Sequence, residues 1–176
     1  PYSAAHRTND YCEGNAWQYL WLTPQDPEGL IDLMGGEETF TQKLDSLFTI
    51  SSELDDNASV DISGMIGQYA HGNEPSHHVA YMYSYAGKQY KTAPIIRTIN
   101  NTLYTDKPDG LSGNEDCGQM SAWYIFSSIG FYPVNPTNGL YVFGSPLFDE
   151  VKINLPQDKQ FIICLLYTSD AADECL

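Results

Sequence analysis

Three loops of this chain place a carboxylate beside an amide just ahead of an aromatic-rich run. The richest is Pro108 to Trp123, PDGLSGNEDCGQMSAW, which sets Glu115 and Asp116 among Gly110, Gly113 and Gly118. Glycines allow backbone angles that other residues resist, so such a loop can bend sharply and admit a ligand. Asp10 to Trp21, DYCEGNAWQYLW, carries Glu13 ahead of a Gly-Asn pair, and His71 to Tyr83, HGNEPSHHVAYMY, carries Asn73 and Glu74 ahead of Pro75. Two readings of these carboxylates are open. Either they cap the following helices, with Asn114 or Asp116 serving the helix that begins near Gln119, or they face a ligand as proton carriers or oxygen donors to a hard cation. Helix starts add unpaired N–H groups and positive dipole on the same side.

The elements that must carry these loops read as helices, followed by a β segment. Asp26 and Pro27 start a short helix through Leu30, Ile31, Leu33 and Met34, which Gly35 and Gly36 end. Glu37 to Ile50 follows, with Phe40, Leu44, Leu47 and Phe48 at helical spacing. Ser51 to Ser63 is polar and acidic, the composition of a surface loop. Pro75 to Ala86 reads as a helix stopped by Gly87, Thr92 to Leu103 as one with Ile95, Ile96, Ile99 and Leu103 on a face, and Gln119 to Ser128 as the last. From Leu140 the runs YVFG and VKINL are β-prone, punctuated by Gly144, Pro146 and Pro156. On an α-helix His77 and His78 would point about 100° apart, which disfavours a shared zinc ion and leaves them packing or hydrogen-bonding roles.

Composition narrows the function classes. A net charge of −15, with 8 basic against 23 acidic residues, argues against nucleic acid or an anionic membrane as partner. A hydrophobic content of 42% with 13 tyrosines and 3 tryptophans is that of a globular protein. No apolar run approaches the length of a membrane span. Cys12 and Cys117 adjoin Glu13 and Asp116, which makes a pair conceivable, while two unpaired small core residues are the favoured reading. The sequons at Asn57 and Asn100 are short enough to arise by chance.

EGNAWQY, GQYAHGNEPSHH and DGLSGNEDCGQMSAWYIFSSIGFYPV, in this order, resemble the catalytic-domain motifs of glycoside hydrolase family 92, whose members are calcium-dependent, exo-acting α-mannosidases. The resemblance runs from about Pro1 to Leu155. It implies a mainly α fold, a fragment of an (α/α)6 toroid followed by short β-strands. Residues 1–135 would belong to the toroid and 136–163 to a C-terminal β segment. The chain begins without Met or a leader, so it is expected to represent the later part of the toroid. Half a toroid would leave apolar faces exposed, so independent folding and activity are not expected. Residues 164–176 are expected to be a non-native tail, because CLLYTSDAADE resembles a translated sequencing adapter.

The resemblance also implies roles. Glu13 matches the catalytic acid, with Trp17 and other apolar neighbours expected to keep it protonated. Asp116 matches the general base, a choice favoured because Asn114 stands where members often carry a second acidic residue. Asn73 and Glu74 match the GNEP motif and are the candidate calcium ligands. Trp17, Gln18, Glu115 and Gln119 are candidate substrate contacts. The partners implied are mannose-containing glycans, and the location secreted, periplasmic or cell-surface. Two other readings stay open: a non-catalytic glycan-binding module that keeps the pocket, and an (α/α)6 glycoside hydrolase of other sugar specificity.

Overall fold

A computed structural model describes residues 11–54, 56, 58 and 62–164. Among these residues are five α-helices: α1 (Ala16–Tyr19), α2 (Pro27–Leu33), α3 (Glu37–Thr49), α4 (Gln89–Thr102) and α5 (Gln119–Ile129). Between them lie a two-residue β1–β2 pair (Met65–Ile66, Tyr69–Ala70) and two 3₁₀ helices, Glu74–Ser76 and Val79–Ser84. After α5 come β3 (Phe131–Tyr132), β4 (Val142–Phe143), β5 (Glu150–Leu155) and β6 (Lys159–Cys164). The strands form three separate two-stranded antiparallel pairs, β1–β2, β3–β4 and β5–β6.

The helix starts follow local chemistry. Asp26 caps α2 by accepting from the Gly29 N–H, with Pro27 at the first position, where its missing donor is not needed. Asn15 and Gln18 form a reciprocal capping box on α1, the Asn15 side chain accepting from Trp17 N and the Gln18 side chain from Asn15 N. On α3, Phe40, Leu44 and Leu47 are buried at the spacing of one helical face. Helix α4 starts at Gln89, three residues before the expected Thr92, which leaves Pro94 inside it. The core lies between these helices and the 3₁₀ segment, with Trp21, Phe40, Leu44, Tyr81, Ile96, Ile99 and Trp123 fully buried.

Pro75 to Ala86 is not the α-helix its pattern predicts. Val79 to Tyr83 are all buried, so the segment runs through the core with no exposed face. Two carbonyls that an α-helix needs for its own ladder are taken by side chains from other elements: Trp123 Nε1 donates to His77 O at 2.8 Å, and Thr92 Oγ1 to Ala80 O at 3.0 Å. The backbone tightens into i→i+3 bonding instead.

The expected division at residue 135 falls inside one packed unit. Strand β3 pairs with β4 across it, Phe131 with Phe143 and Tyr132 with Val142, and Val134 is buried in the core. The first residue of the expected tail, Cys164, closes β6 opposite Glu150, whereas 165–176 lie outside the described residues. Among the described residues, no helix is long and apolar enough to cross a membrane.

Candidate active site

The cleft is built by close backbone approach. The backbone of His71 donates to Gly64 O and that of Gly72 to Ser63 O, at 3.0 and 3.1 Å. A Cβ on Gly72 would lie 2.1 Å from Ser63 Oγ and 2.8 Å from Ser112 O, so only glycine lets these segments meet. Where they meet, an open cleft of about 600 Å³ is lined by Glu13, Gln18, Asn73, Glu74, Asn114 and Asp116, along with parts of 62–72 and Gly113.

This gathers the residues expected to carry chemistry. The loop before α1 brings Glu13, the first 3₁₀ turn brings Asn73 and Glu74, and the loop before α5 brings Asp116. Asn73 Nδ2 donates to Glu13 O at 2.7 Å and ties the first two loops together. Glu13 and Asp116 are exposed, and both hold left-handed backbone, with φ of 55° and 50°. For a residue other than glycine such a conformation costs on the order of 1–3 kcal/mol and concentrates at functional sites. Three carboxylates converge, and among the described residues no basic one lines the cleft. Burial, partly offset by a backbone hydrogen bond, pushes the Glu74 carboxyl above its ordinary range; a hydrogen bond shared with Asp116 and the charges of Asp116 and Glu13 push it further.

The donor set suits a hard cation. With Asn73 Nδ2 engaged by Glu13, its Oδ1 and the Glu74 carboxylate offer oxygens in a negatively charged cleft, which is calcium's preferred chemistry. Among the described residues no three His, Cys, Asp or Glu side chains form a ready metal cage. This segment alone therefore provides an open oxygen-lined wall.

Other expected contacts lie elsewhere. Trp17 is not among the residues lining the cleft; its ring lies under Lys43 Nζ, 3.9 Å from the centroid. Gln18 reaches the cleft, but its amide is held internally, Oε1 by Asn15 N at 2.7 Å and Nε2 by Gln68 O at 2.6 Å. Glu115 accepts from Ser121 N and Oγ at 3.1 and 2.7 Å. It caps α5 from outside, while the N-cap position belongs to left-handed Gly118 and neither Asn114 nor Asp116 provides a side-chain cap. Gln119 lines a second, more apolar cavity of about 240 Å³ with Trp123, Phe126, Tyr132 and Pro133, and Glu74 borders both cavities. Cys12 and Cys117 are free, as expected, but exposed on the carboxylate loops rather than in the core, and Asn100 is buried within α4, so its sequon faces the core.

His77 and His78 serve different backbone segments. His77 Nε2 donates to His71 O at 2.9 Å and His78 Nε2 to Trp21 O at 2.7 Å. Burial lowers both, His77 to about 4, so their rings are neutral at physiological pH. Sequence reasoning did not reach this lattice, since the partners of His77 and His78 are distant carbonyls. The left-handed backbone at Glu13 and Asp116 had only nearby glycines as its signal, Gly14 beside Glu13 and Gly118 two residues after Asp116.

These features coincide with a known family. The profile of the glycosyl hydrolase family 92 catalytic domain matches residues 1–172, and the chain belongs to that family. It is similar to a family 92 α-mannosidase of Bacteroides thetaiotaomicron solved with mannoimidazole, at 47% identity and a TM-score of 0.81 over 87% of this chain and 20% of that one. A family 92 inverting mannosidase of the same organism shares 38% identity, with a TM-score of 0.76 over 93% of this chain and 23% of the other. An uncharacterized secreted glycosidase of Arthroderma benhamiae is 29% identical over 88% of this chain and 18% of its own length. The chain thus spans about a fifth of the length of these relatives.

Proposed function

We propose that this chain contributes an acid, a base and a cation-binding wall to an exo-acting, inverting α-mannosidase that removes mannose from glycans. The observation that carries this reading is the single cleft in which Glu13, Glu74 and Asp116 converge from three loops. It is supported by the similarity to mannosidases, one described as inverting and one as bound to mannoimidazole.

Hydrolysis with inversion needs a carboxylic acid at the leaving oxygen and a carboxylate that activates water on the opposite face of the sugar, roughly 6.5–9.5 Å away. In our reading Glu13 gives its proton to the glycosidic oxygen as the C1–O bond breaks. Asp116 takes a proton from the water whose oxygen bonds to C1. The products are β-mannose and the shortened glycan alcohol. Asn73 Oδ1 and the Glu74 carboxylate would hold calcium, which when bound supplies positive charge for gripping mannose hydroxyls. Gln18 and Glu115 then act as supports of the cleft loops, and the helices as part of an (α/α)6 toroid. The secreted glycosidase among the relatives supports a location outside the cytoplasm.

The test uses the complete catalytic domain. Glu13→Gln and Asp116→Asn are each expected to reduce kcat by about 10²–10⁴-fold on an α-mannoside. Undiminished mannose release by Glu13→Gln would remove its role as acid. Proton NMR of the first anomer formed should show β-mannose, and α-mannose contradicts inversion. Exhaustive chelation should abolish turnover and calcium restore it; activity indifferent to chelation rules out the cation.

A further inference from the structure

We propose that His77 and Gln119 are positioning residues that set the Glu74 and Asp116 carboxyl groups against each other across the cleft. The inference rests on the glycosidase reading above. Neither residue lines that cleft, so neither is placed to touch the reacting atoms.

A continuous run of hydrogen bonds joins the two carboxylate-bearing loops through them. Gln119 N donates to Asp116 O at 3.2 Å, and Gln119 Nε2 donates to His77 Nδ1 at 3.0 Å. His77 N then donates to Glu74 O at 3.0 Å. The same imidazole closes the Glu74 loop on itself, because its Nε2 donates to His71 O at 2.9 Å. With Nε2 donating, Nδ1 must be the acceptor, which is what the Gln119 amide requires. Trp123 Nε1 anchors His77 from α5 by donating to its carbonyl.

A second strap runs parallel. His71 Nδ1 lies 2.7 Å from Tyr69 Oη, and its Nε2 lies 2.7 Å from Tyr104 Oη, which donates on to Met120 O at 3.2 Å. That pattern makes His71 a donor at Nε2 and an acceptor at Nδ1. His71 and His77 are 0% and 1% exposed. The imidazole end of the Gln119–His77 bond is buried and its amide end half-buried, so losing one partner leaves a buried ring nitrogen without its bond and moves the loop it held. The strap through Gln119 ends at both carboxylate loops, whereas the strap through His71 ends only at the second residue of α5. Gln119 therefore has the most direct effect on the Glu74–Asp116 spacing. Its side chain also hydrogen-bonds to Tyr132, which further commits it to the scaffold.

In the complete catalytic domain, Gln119→Leu should lower kcat on a chromogenic α-mannoside by about 10-fold or more with KM changed by less than about 3-fold, since a misplaced catalytic group weakens the transition state more than binding. His77→Gln, whose amide can still donate to His71 O, should keep more activity than His77→Leu. Hydrogen exchange read on the same proteins should quicken across 71–77 and 115–121 in Gln119→Leu while α3 and α4 keep wild-type protection. Unchanged kcat, or unchanged exchange at 71–77, overturns the proposal. If Gln119→Leu loses protection throughout, Gln119→Glu decides by the same readouts, because its carboxylate keeps the shape but has no N–H for His77 Nδ1. A wild-type domain that turns over no α-mannoside overturns the glycosidase reading instead, and exchange still decides the positioning role.

Discussion

At the residue scale, the character of the cleft comes from carboxylates brought together with no basic residue among the described ones that line it. Glu74 shows the consequence, since burial and the charges of Asp116 and Glu13 raise its pKa. A carboxyl whose folded pKa lies above its unfolded one stabilises the fold fully below the unfolded pKa and loses that contribution as pH rises through the folded one. At neutral pH, the charged form of Glu74 therefore works against the fold. Glu74→Gln should raise Tm at pH 7 in the presence of chelator, and the gain should vanish as pH falls through the carboxylate range. Calcium should reverse the order: binding to the native state stabilises wild type, while the variant, having lost a ligand, gains less. Thermal melts at pH 7 and pH 4, with and without calcium, check this. A Glu74→Gln protein less stable than wild type at pH 7 in chelator would contradict the repulsion.

At the element scale, much of the helical framework was legible and much of its bracing was not. The apolar spacing of Phe40, Leu44 and Leu47 gave α3, and Asp26-Pro27 with Gly35-Gly36 bounded α2, because both signals act within a few residues. The carboxylate loops were legible as loops, and Glu13, Glu74 and Asp116 line one cleft. The Pro75 to Ala86 segment read as α-helix because its composition allows one; its carbonyls at His77 and Ala80 are claimed by Trp123 and Thr92, from 46 and 12 residues away, and no local pattern records that. The strand pairs β1–β2 and β3–β4 are two residues long, too short for an alternation to register. The β5–β6 hairpin was half seen, as VKINL; its partner strand lay within the expected 136–163 β segment but was not picked out as a run, and only its last residue, Cys164, was read into the tail. Two element-level predictions follow from the bracing. Gly72→Ala should destabilise by about 1–3 kcal/mol, the usual range for forced overpacking, because its Cβ would push Ser63 and Ser112 apart; denaturant unfolding measures it, and a neutral effect would mean those segments yield freely. His77, lowered to about 4 by burial, has a depressed folded pKa, so its share of stability is present above about 6.5 and is lost as pH falls toward 4. That share is on the order of 3 kcal/mol. The slope of unfolding free energy between pH 6.5 and 4.5 should be shallower in His77→Gln, and equal slopes would place the acid sensitivity in other groups.

At the scale of the whole molecule, charge and apolar surface act in opposite directions. The chain carries a net charge of −15 with only 8 basic residues against 23 acidic ones, too few to pair with most of them, and among the described residues the ion pairs Lys91–Asp45 and Lys152–Glu150 join surface groups. Self-repulsion of that size strains a compact state and keeps copies apart. Meanwhile Leu33 and Phe143 are 87% and 81% exposed, and Leu155, Phe161 and Ile162 leave the β5–β6 hairpin apolar toward solvent. Such surface favours association once repulsion is screened. Raising NaCl from about 0.01 M to about 0.15 M shortens the screening length from about 30 Å to about 8 Å, shorter than many distances between like charges on a domain of this size. The expected outcome is a Tm that rises with salt at low protein concentration, accompanied by a larger scattering mass at high concentration. Magnesium and sodium matched for ionic strength should act alike through screening, whereas calcium should add a further rise that Asn73→Ala and Glu74→Gln reduce, because a bound ion acts through its site and screening does not. A Tm indifferent to salt would show that the acidic residues are spaced too widely to repel, and a calcium response surviving both substitutions would move the cation away from the GNEP loop.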